Sequence, residues 1–368
     1  MKIAQIAPLA ESVPPKLYGG TERIVSYLTE QLVAQGHDVT LFASGDSVTT
    51  AELVPCADSA LRLNPKIRDP LPYQLIELEE VRRRAAEFDV LHFHIDLLHF
   101  PLIRPFAGRT LTTLHNRHDE ADYRRLYMAF PEVPLVSISD SQRRGMPPVN
   151  WAGTVYNGIP PNLLPFQPAP SGDYLAFLGR ISPEKGPAQA IEIARRAGMR
   201  LKMAAKIDKL DRAYWEGVIE PQIRRSPWVE FVGEIGQDAK ADFLGNAKAL
   251  LFPIDWPEPF GLVMIEAMAC GTPVVGFSCG SVPEVLEDGV SGFLVRDTDE
   301  AVEALRRIDT IDRAKARSAF ERRFSAERMA SDYLALYHDL TQEPIVIPQP
   351  AASSLAGDDP WRERATVS

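Results

Sequence analysis

The stretch DWPEPFGLVMIEAMACGTPVV, residues 255–275, sets two carboxylates in very different company. From Phe260 to Cys270 nearly every residue is apolar, the pattern of a helix buried on all sides, yet Glu266 stands in its middle. A buried carboxylate needs a partner, because an unpaired charge in an apolar site would sooner take up a proton. No Arg or Lys stands at 262, 263, 269 or 270, the positions within helical reach. The hydroxyls of a ligand would satisfy Glu266 from outside the chain; the competing reading is a core glutamate paired with a distant arginine. Glu258 lies between Pro257 and Pro259, which hold it in an extended turn. The helix then starts at about Phe260 to Leu262, where about three or four amides lack intrahelical partners and can receive a phosphate or a sugar hydroxyl. Glu266 lies roughly one turn further in, ~5–8 Å along the axis, where it meets the neutral hydroxyls of a ligand whose phosphates sit at the helix start.

Two more turns carry ligand-binding residue types. In YGGTER, residues 18–23, Gly19 and Gly20 admit close backbone approach at the start of a helix; otherwise this is a plain tight turn. In FLGRISPEKG, residues 177–186, Arg180 and Lys185 flank Ser182-Pro183 and can converge on one anion, with Pro187 starting the next helix. The plain alternative is a solvated surface pair. HFHIDLLH, with His92, His94, Asp96 and His99, has a metal-like composition, but no Cys or further carboxylate completes a set. Asp297 to Asp299, DTD, precedes a helical pattern and reads as a helix cap. The arginine runs at 82–84, Arg124-Arg125 and Arg143-Arg144 read as solvated helix faces rather than a surface for an anionic partner or a membrane.

These residues need a frame. Short β-rich runs alternate with helical patterns along the whole chain, which predicts parallel sheets with crossover helices. The first series has strands at KIAQI, VTLFA, VLHFH, TLTTLH, LVSIS and TVYN. Its first helix is capped by Thr21, carries Ile24, Val25, Leu28 and Leu32 on one face, and stops at Gly36. PPNLLPFQPAPSG, residues 160–172, reads as a linker. The second series has strands at YLAFLG, LKMAA, VEFVG, ALLFP and PVVGF, with helices near 187–197, 211–223, 238–247 and 261–270. The expectation is two doubly wound domains, 1–165 and 166–324, with ligands bound between them beyond the carboxyl ends of the strands. A helix over 325–340 would pack back on the first domain, and 341–368, rich in Pro, Ser and Ala, would be mostly disordered.

Composition narrows the classes. The chain has 368 residues, 45% hydrophobic and 24% charged, enough for two cores. A net charge of -10 argues against a nucleic-acid binder. Cys56, Cys270 and Cys279 fit a reduced cytoplasmic protein, the first fifteen residues are no secretory signal, and the apolar run 261–277 is interrupted. A soluble or at most peripheral protein follows. No G-x-G-x-x-G follows either leading strand, which weighs against a dinucleotide-dependent dehydrogenase.

WPEPFGLVMIEAMACGTPVV followed by GSVPEVLEDGVSGFLV, with GRISPEKG upstream and GGTER near the start, resembles the GT-B-fold retaining glycosyltransferases of family four over about residues 1–340. The resemblance implies an α/β architecture of two Rossmann-like domains facing a central cleft. It implies that Glu266 binds the ribose hydroxyls of a nucleotide sugar. Glu258 faces the donor sugar, whose hydroxyls the amides of Phe260, Gly261 and Leu262 hold. Arg180 and Lys185 take the diphosphate, Gly20 closes on it from the first domain, and His115, at the end of TLTTLH, lies beside the donor sugar. Glu258 and His115 are then the catalytic pair. The implied reaction moves a hexosyl group to an acceptor hydroxyl by front-face attack, with neither metal nor cofactor. The donor is a UDP-sugar such as UDP-glucose or UDP-GlcNAc, with GDP-mannose as the alternative. A saccharide, a lipid-linked saccharide or a small metabolite would be the acceptor, nucleic acid is no partner, and contact with the inner membrane face is compatible. His92 and His94 would then line the acceptor side. Two departures touch donor choice: Ala205-Lys206-Ile207-Asp208 replaces a glycine-rich turn, adding a third cation, and Cys279-Gly280 stands where a glycine pair is common. A nucleotide-sugar epimerase and a non-catalytic nucleotide-sugar-binding protein are the competing classes.

Overall fold

Strands of a parallel sheet covered on both faces read as apolar runs rather than alternations. Strand β1 (Lys2–Ile6) buries every residue after Lys2, and the strand leading the second half buries Tyr174 to Phe177. The computed structural model describes residues 1–342 apart from Tyr18 and Leu63. Its first sheet comprises β1, β2 (Asp38–Ser44), β3 (Glu52–Ala57), β4 (Val90–Phe93), β5 (Thr110–Thr113), β6 (Leu135–Ser137) and β7 (Trp151–Thr154). The second comprises β8 (Tyr174–Arg180), β9 (Arg200–Lys206), β10 (Val229–Gly233), β11 (Ala249–Phe252), β12 (Val274–Phe277) and β13 (Gly292–Val295). Their orders, β3-β2-β1-β4-β5-β6-β7 and β10-β9-β8-β11-β12-β13, both step outward from the leading strand in each direction. That reversal leaves a crevice beyond the carboxyl end of β1 in one sheet and of β8 in the other.

Among the described residues nine helices have eight residues or more: α1 (Gly20–Ala34), α2 (Leu71–Arg84), α3 (Ala121–Ala129), α4 (Pro187–Ala197), α5 (Gln237–Gly245), α6 (Leu262–Ala269), α7 (Thr298–Arg306), α8 (Arg313–Arg323) and α9 (Ala326–Gln342). None is long and apolar enough to cross a membrane.

The differences from the sequence reading have physical causes. Strands β3 and β13 were not expected, and both are edge strands. Pro55 lies within β3, where a missing donor facing outward costs no ladder bond. Gly292 opens β13 because a Cβ there would stand 1.9 Å from the Val274 carbonyl oxygen. Strand β7 occupies WAGT rather than TVYN. Thr21 does not cap α1: the helix starts two residues earlier, at Gly20, Gly19 is the cap residue, and Thr21 lines the interdomain cleft. The helix expected over 211–223 is wound in short pieces, widened over Trp215–Ile219 where Pro221 cannot donate to the preceding turn. Asp297 does cap α7, its carboxylate accepting from the Glu300 amide at 2.9 Å. The tail expected to be disordered lies outside the described residues from 343 onward, while Thr341 and Gln342 end α9.

The chain passes between the halves twice. Ile159 pairs with Ser325 as an isolated bridge, and a Cβ on Gly158 would stand 2.3 Å from the Ser325 carbonyl oxygen, so the two crossings touch backbone to backbone. Beyond the second crossing, α9 lies on α1 and buries Met329, Tyr333 and Tyr337 in the first domain. Arg317 ties the linker down, donating to the carbonyls of Pro161, Leu164 and Ala269. A further tie joins the domains directly: the Glu284 carboxylate accepts from the amides of Asp140 (2.7 Å) and Ser141 (2.5 Å) and from the Tyr156 hydroxyl (3.3 Å).

Candidate active site

A cleft of about 560 Å³ runs between the two sheets, lined from both domains. Gly20, His115, Arg180, Lys185, Glu258, Phe260, Gly261, Leu262 and Glu266 all face it, so the structure gathers every residue singled out for the site.

The second-domain wall is built on α6. Gly261 caps that helix at φ 81°, a conformation that a side chain strains, and a Cβ there would stand 2.8 Å from the Met264 methyl group. This sharp entry turns the amides at the helix start toward the cleft, while Phe260 anchors the turn by packing on Tyr156 and Phe324. Glu258, just before it, is buried and takes hydrogen bonds from Lys185 Nζ and from Trp256 Nε1 (2.6 Å). Lys185 also lies 4.6 Å from the centre of the Trp256 ring. Gly280, at φ 58°, backs this arrangement, since a Cβ would strike the Glu258 amide nitrogen at 2.3 Å.

Glu266 corrects the sequence reading. Its carboxylate is met inside the protein by Lys240 Nζ at 2.6 Å, reaching across from α5, so burial alone does not demand a ligand. Its side chain still lines the cleft. Arg180 is held by Glu184 and by Asp211 (3.3 Å), and Lys206 by Asp208 (2.9 Å). Burial raises the Asp211 carboxyl above its usual range, whereas the Lys206 ammonium lowers that of Asp208. Each cation named on this wall thus has a carboxylate partner that an incoming anion must displace or share.

The first-domain wall carries Glu11, Glu22, Arg23 and Arg62 and, around His115, a neutral hydrogen-bonded series. His115 Nε2 lies 2.9 Å from His94 Nδ1, His94 Nε2 2.8 Å from Gln5 Oε1, and Gln5 Nε2 donates to the Tyr337 hydroxyl at 3.0 Å. The amide fixes the direction of every bond. A carbonyl oxygen only accepts, so His94 carries its proton on Nε2, its Nδ1 accepts, and His115 must donate from Nε2. The Tyr337 hydroxyl, already accepting from Gln5, donates to His92 Nδ1 (2.7 Å), and His92 Nε2 donates to Thr113 Oγ1 (2.8 Å). His115 is left with Nδ1 as an acceptor. Burial pushes its imidazole down to about 4 and keeps it neutral at pH 7.

Two family models match the chain. "Glycosyl transferases group 1" matches residues 166–323, and "Glycosyltransferase Family 4" matches residues 18–138. The chain belongs to the family-four glycosyltransferases. An uncharacterized glycosyltransferase of Methanocaldococcus jannaschii is 25% identical over 336 residues, covering 79% of this chain and 85% of the relative. A phosphatidyl-myo-inositol mannosyltransferase of Mycobacterium leprae is 26% identical over 378 residues, covering 92% of this chain and 96% of the relative. Among solved structures, an Anabaena protein in complex with UDP and glucose superposes with a TM-score of 0.69 at 19% identity, covering 92% of this chain and 100% of that one. That likeness is one of GT-B fold.

In this glycosyltransferase the HFHIDLLH residues divide between the interior and a cavity wall. His92 and His99 are fully buried, His99 stacking on Phe93 at 4.0 Å and bonding Thr112, while His94 and Asp96 reach a cavity wall. Among the described residues no group of three or more His, Cys, Asp or Glu is gathered as a metal set. Arg82 and Arg83 share Glu79 on the solvated face of α2. Arg143, by contrast, is half-buried, donating to Ser137 at 2.8 Å and lying 4.9 Å over the Trp151 ring. The sequence reading missed Lys240, Trp256, Gln5 and Glu284. Trp256 stands inside the WPEP turn and was open to notice there; the others meet their partners across domains or helices, where no spacing rule points.

Proposed function

We propose that this glycosyltransferase moves a hexosyl group from a UDP-sugar to an acceptor hydroxyl with retention of configuration and without a metal. One observation carries the reading: Lys185, Glu258, Arg180, Glu266 and the start of α6 converge on a single cleft that Gly20 closes from the opposite domain. Breaking the sugar–phosphate bond builds charge on the leaving diphosphate. Arg180, Lys185, Lys206 and the free amides of Phe260 to Leu262 face the place where that charge develops. As the diphosphate draws Lys185, Glu258 exchanges the ammonium for the donor's sugar hydroxyls. Glu266, steadied by Lys240, accepts from the ribose hydroxyls.

The acceptor hydroxyl attacks the anomeric carbon on the face the phosphate leaves, and the departing phosphate oxygen takes its proton. That one step balances atoms and charge. Neutral His115, donating to His94, offers the sugar an acceptor rather than a positive charge. UDP is favoured by the Anabaena structure with UDP and glucose. GDP-mannose is the second reading, favoured by the mannosyltransferase relative that spans nearly the whole chain. Three free cysteines agree with a cytoplasmic enzyme.

Thermal-shift measurements with UDP, GDP and ADP, each with and without chelator, test the reading. The favoured nucleotide at 100 Kd adds about 2.7 kcal/mol of stability, and chelator leaves the shift unchanged. No shift with any nucleotide sinks the donor site, and loss of the shift in chelator sinks metal independence. Glu266→Ala is expected to weaken UDP binding by on the order of tenfold or more, the loss of one or two charge-assisted hydrogen bonds. Equal affinity in the two proteins contradicts the ribose role.

A further inference from the structure

A second cavity of about 350 Å³ opens in the first domain beside the main cleft, and the two share Thr21, Glu22 and Asn116 as walls. It lies beyond the carboxyl ends of β1, β4 and β5, and its far side is α2, which contributes Gln74 and Glu77 one turn apart. Glu77 is the anomaly. It is 0% exposed, and neither carboxylate oxygen has a hydrogen-bond partner among the described residues. The rest of α2 gives no structural reason for an acid there, since an apolar side chain would fill the position without orphaned polar atoms. Glu77 lines the cavity, and an unsatisfied polar pair at a cavity wall calls for a partner that enters from outside.

The charge of the walls says what kind. Glu22, Glu77 and Asp96 line the cavity, and among the described residues no Lys or Arg does. Arg62, at the main cleft, is already held by Glu11. An anionic group placed here would face carboxylates without a cation, whereas an uncharged polyol meets donors and acceptors alone. Burial raises the Glu77 carboxyl well above its usual range and so favours the protonated form, which offers one donor and one acceptor, the pattern that adjacent sugar hydroxyls match. His94 has both ring nitrogens engaged, by His115 and Gln5, and presents only its ring.

We propose that this cavity is the acceptor site, and that Glu77, with Gln74, Asp96 and Glu22, selects an uncharged polyhydroxylated acceptor over its phosphorylated counterpart. The inference rests on the glycosyl-transfer reading above. A cavity of this volume lies at the small end of the ~300–1,000 Å³ range of ligand sites and has room for about one sugar ring. It also gives the fold a feature that an epimerase, which needs no acceptor, would lack.

The test uses the full chain and matched pairs of probes: myo-inositol against inositol 3-phosphate, and glucose against glucose 6-phosphate. Saturation-transfer NMR reads binding, and UDP release from UDP-glucose reads transfer. In each pair the uncharged member is expected to give the stronger signal. Glu77→Leu, which removes the orphaned atoms and so folds at least as well, should weaken that signal at least tenfold, while Glu77→Gln, which keeps a donor and an acceptor, should hold it within about threefold. A stronger signal from a phosphorylated member overturns the proposal, as does no signal from either uncharged probe, or equal signals from wild type and Glu77→Leu. A UDP thermal shift on the same samples separates the two readings: its absence sinks the donor site, whereas its presence with failed polyol binding sinks the acceptor cavity alone.

Discussion

On the second-domain wall of the cleft the polar groups are ionised and paired, Lys185 with Glu258, Lys240 with Glu266 and Arg180 with Glu184 and Asp211. On the first-domain wall, beside Glu11, Glu22, Arg23 and Arg62, a neutral series runs from His115 through His94 and Gln5 to Tyr337 and His92. Paired charges can trade partners, so the second-domain wall suits a step in which a diphosphate arrives, gains charge and leaves. A neutral series cannot trade, because each hydrogen bond fixes the direction of the next. It suits a group that must keep one tautomer while an uncharged sugar lies against it.

The largest expected effect breaks the charged wall. Glu258→Gln keeps the shape but cannot balance Lys185 or a cationic transition state, and kcat should fall by about 10²–10³. UDP affinity should stay within a few-fold by calorimetry, and a loss confined to affinity would place Glu258 on the nucleotide instead of the sugar.

Acid tests the neutral series next. Burial lowers His92, His94, His99 and His115, with His115 at about 4 against about 6.5 when unfolded. Between those values the unfolded chain binds the proton and the folded one does not. Stability is therefore full above about pH 6.5 and is lost as pH falls toward 4, by on the order of 1.4 kcal/mol per group for each pH unit of the window. Glu77 runs the other way, because its raised value makes the folded chain hold a proton as pH climbs past 4.5. Glu22 and Asp211 are raised as well and His37 is lowered, so five histidines stand against three carboxyls and the urea midpoint should be lower at pH 5 than at pH 7.5. A flat profile would mean that the histidines are charged in the native state.

A cut in the series should cost less. Gln5→Leu leaves His94 Nε2 and the Tyr337 hydroxyl without their amide partner, a loss of about 1–3 kcal/mol. It also frees His94 to change tautomer, so the acid limb of the kcat/KM profile should move up toward the ordinary histidine range. A purely structural role would lower the melting temperature and leave that limb in place. The smallest effect lies outside the comparison. Arg82→Ala removes an exposed partner of Glu79 and should change stability by less than about 0.5 kcal/mol, with no change in nucleotide or acceptor binding.

What the sequence revealed follows the same division by distance. Glu258, Gly261 and the buried run around Glu266 were legible because prolines, a glycine and an apolar stretch act within one turn. The two sheets were legible because buried parallel strands announce themselves as apolar runs, while edge strands β3 and β13, carrying Pro55 and Gly292, do not. Lys240 meets Glu266 from another helix, and Gln5 meets Tyr337 across 332 positions, separations at which no local pattern exists. The inference that Glu266 needed an external partner failed for that reason: helical reach counts only neighbours on the same helix.

The paired crossings at 157–159 and 324–326 bear on how such a cleft can move. Two straps side by side act as a door hinge does: swinging the halves apart bends both together, whereas shearing one half past the other would pull on a strap end to end. Glycine at 158 lets the leaves of that hinge lie flush, with the Ser325 carbonyl where a Cβ would be. A methyl group there would prop the leaves apart, changing the resting angle of the door without altering any residue that meets a substrate.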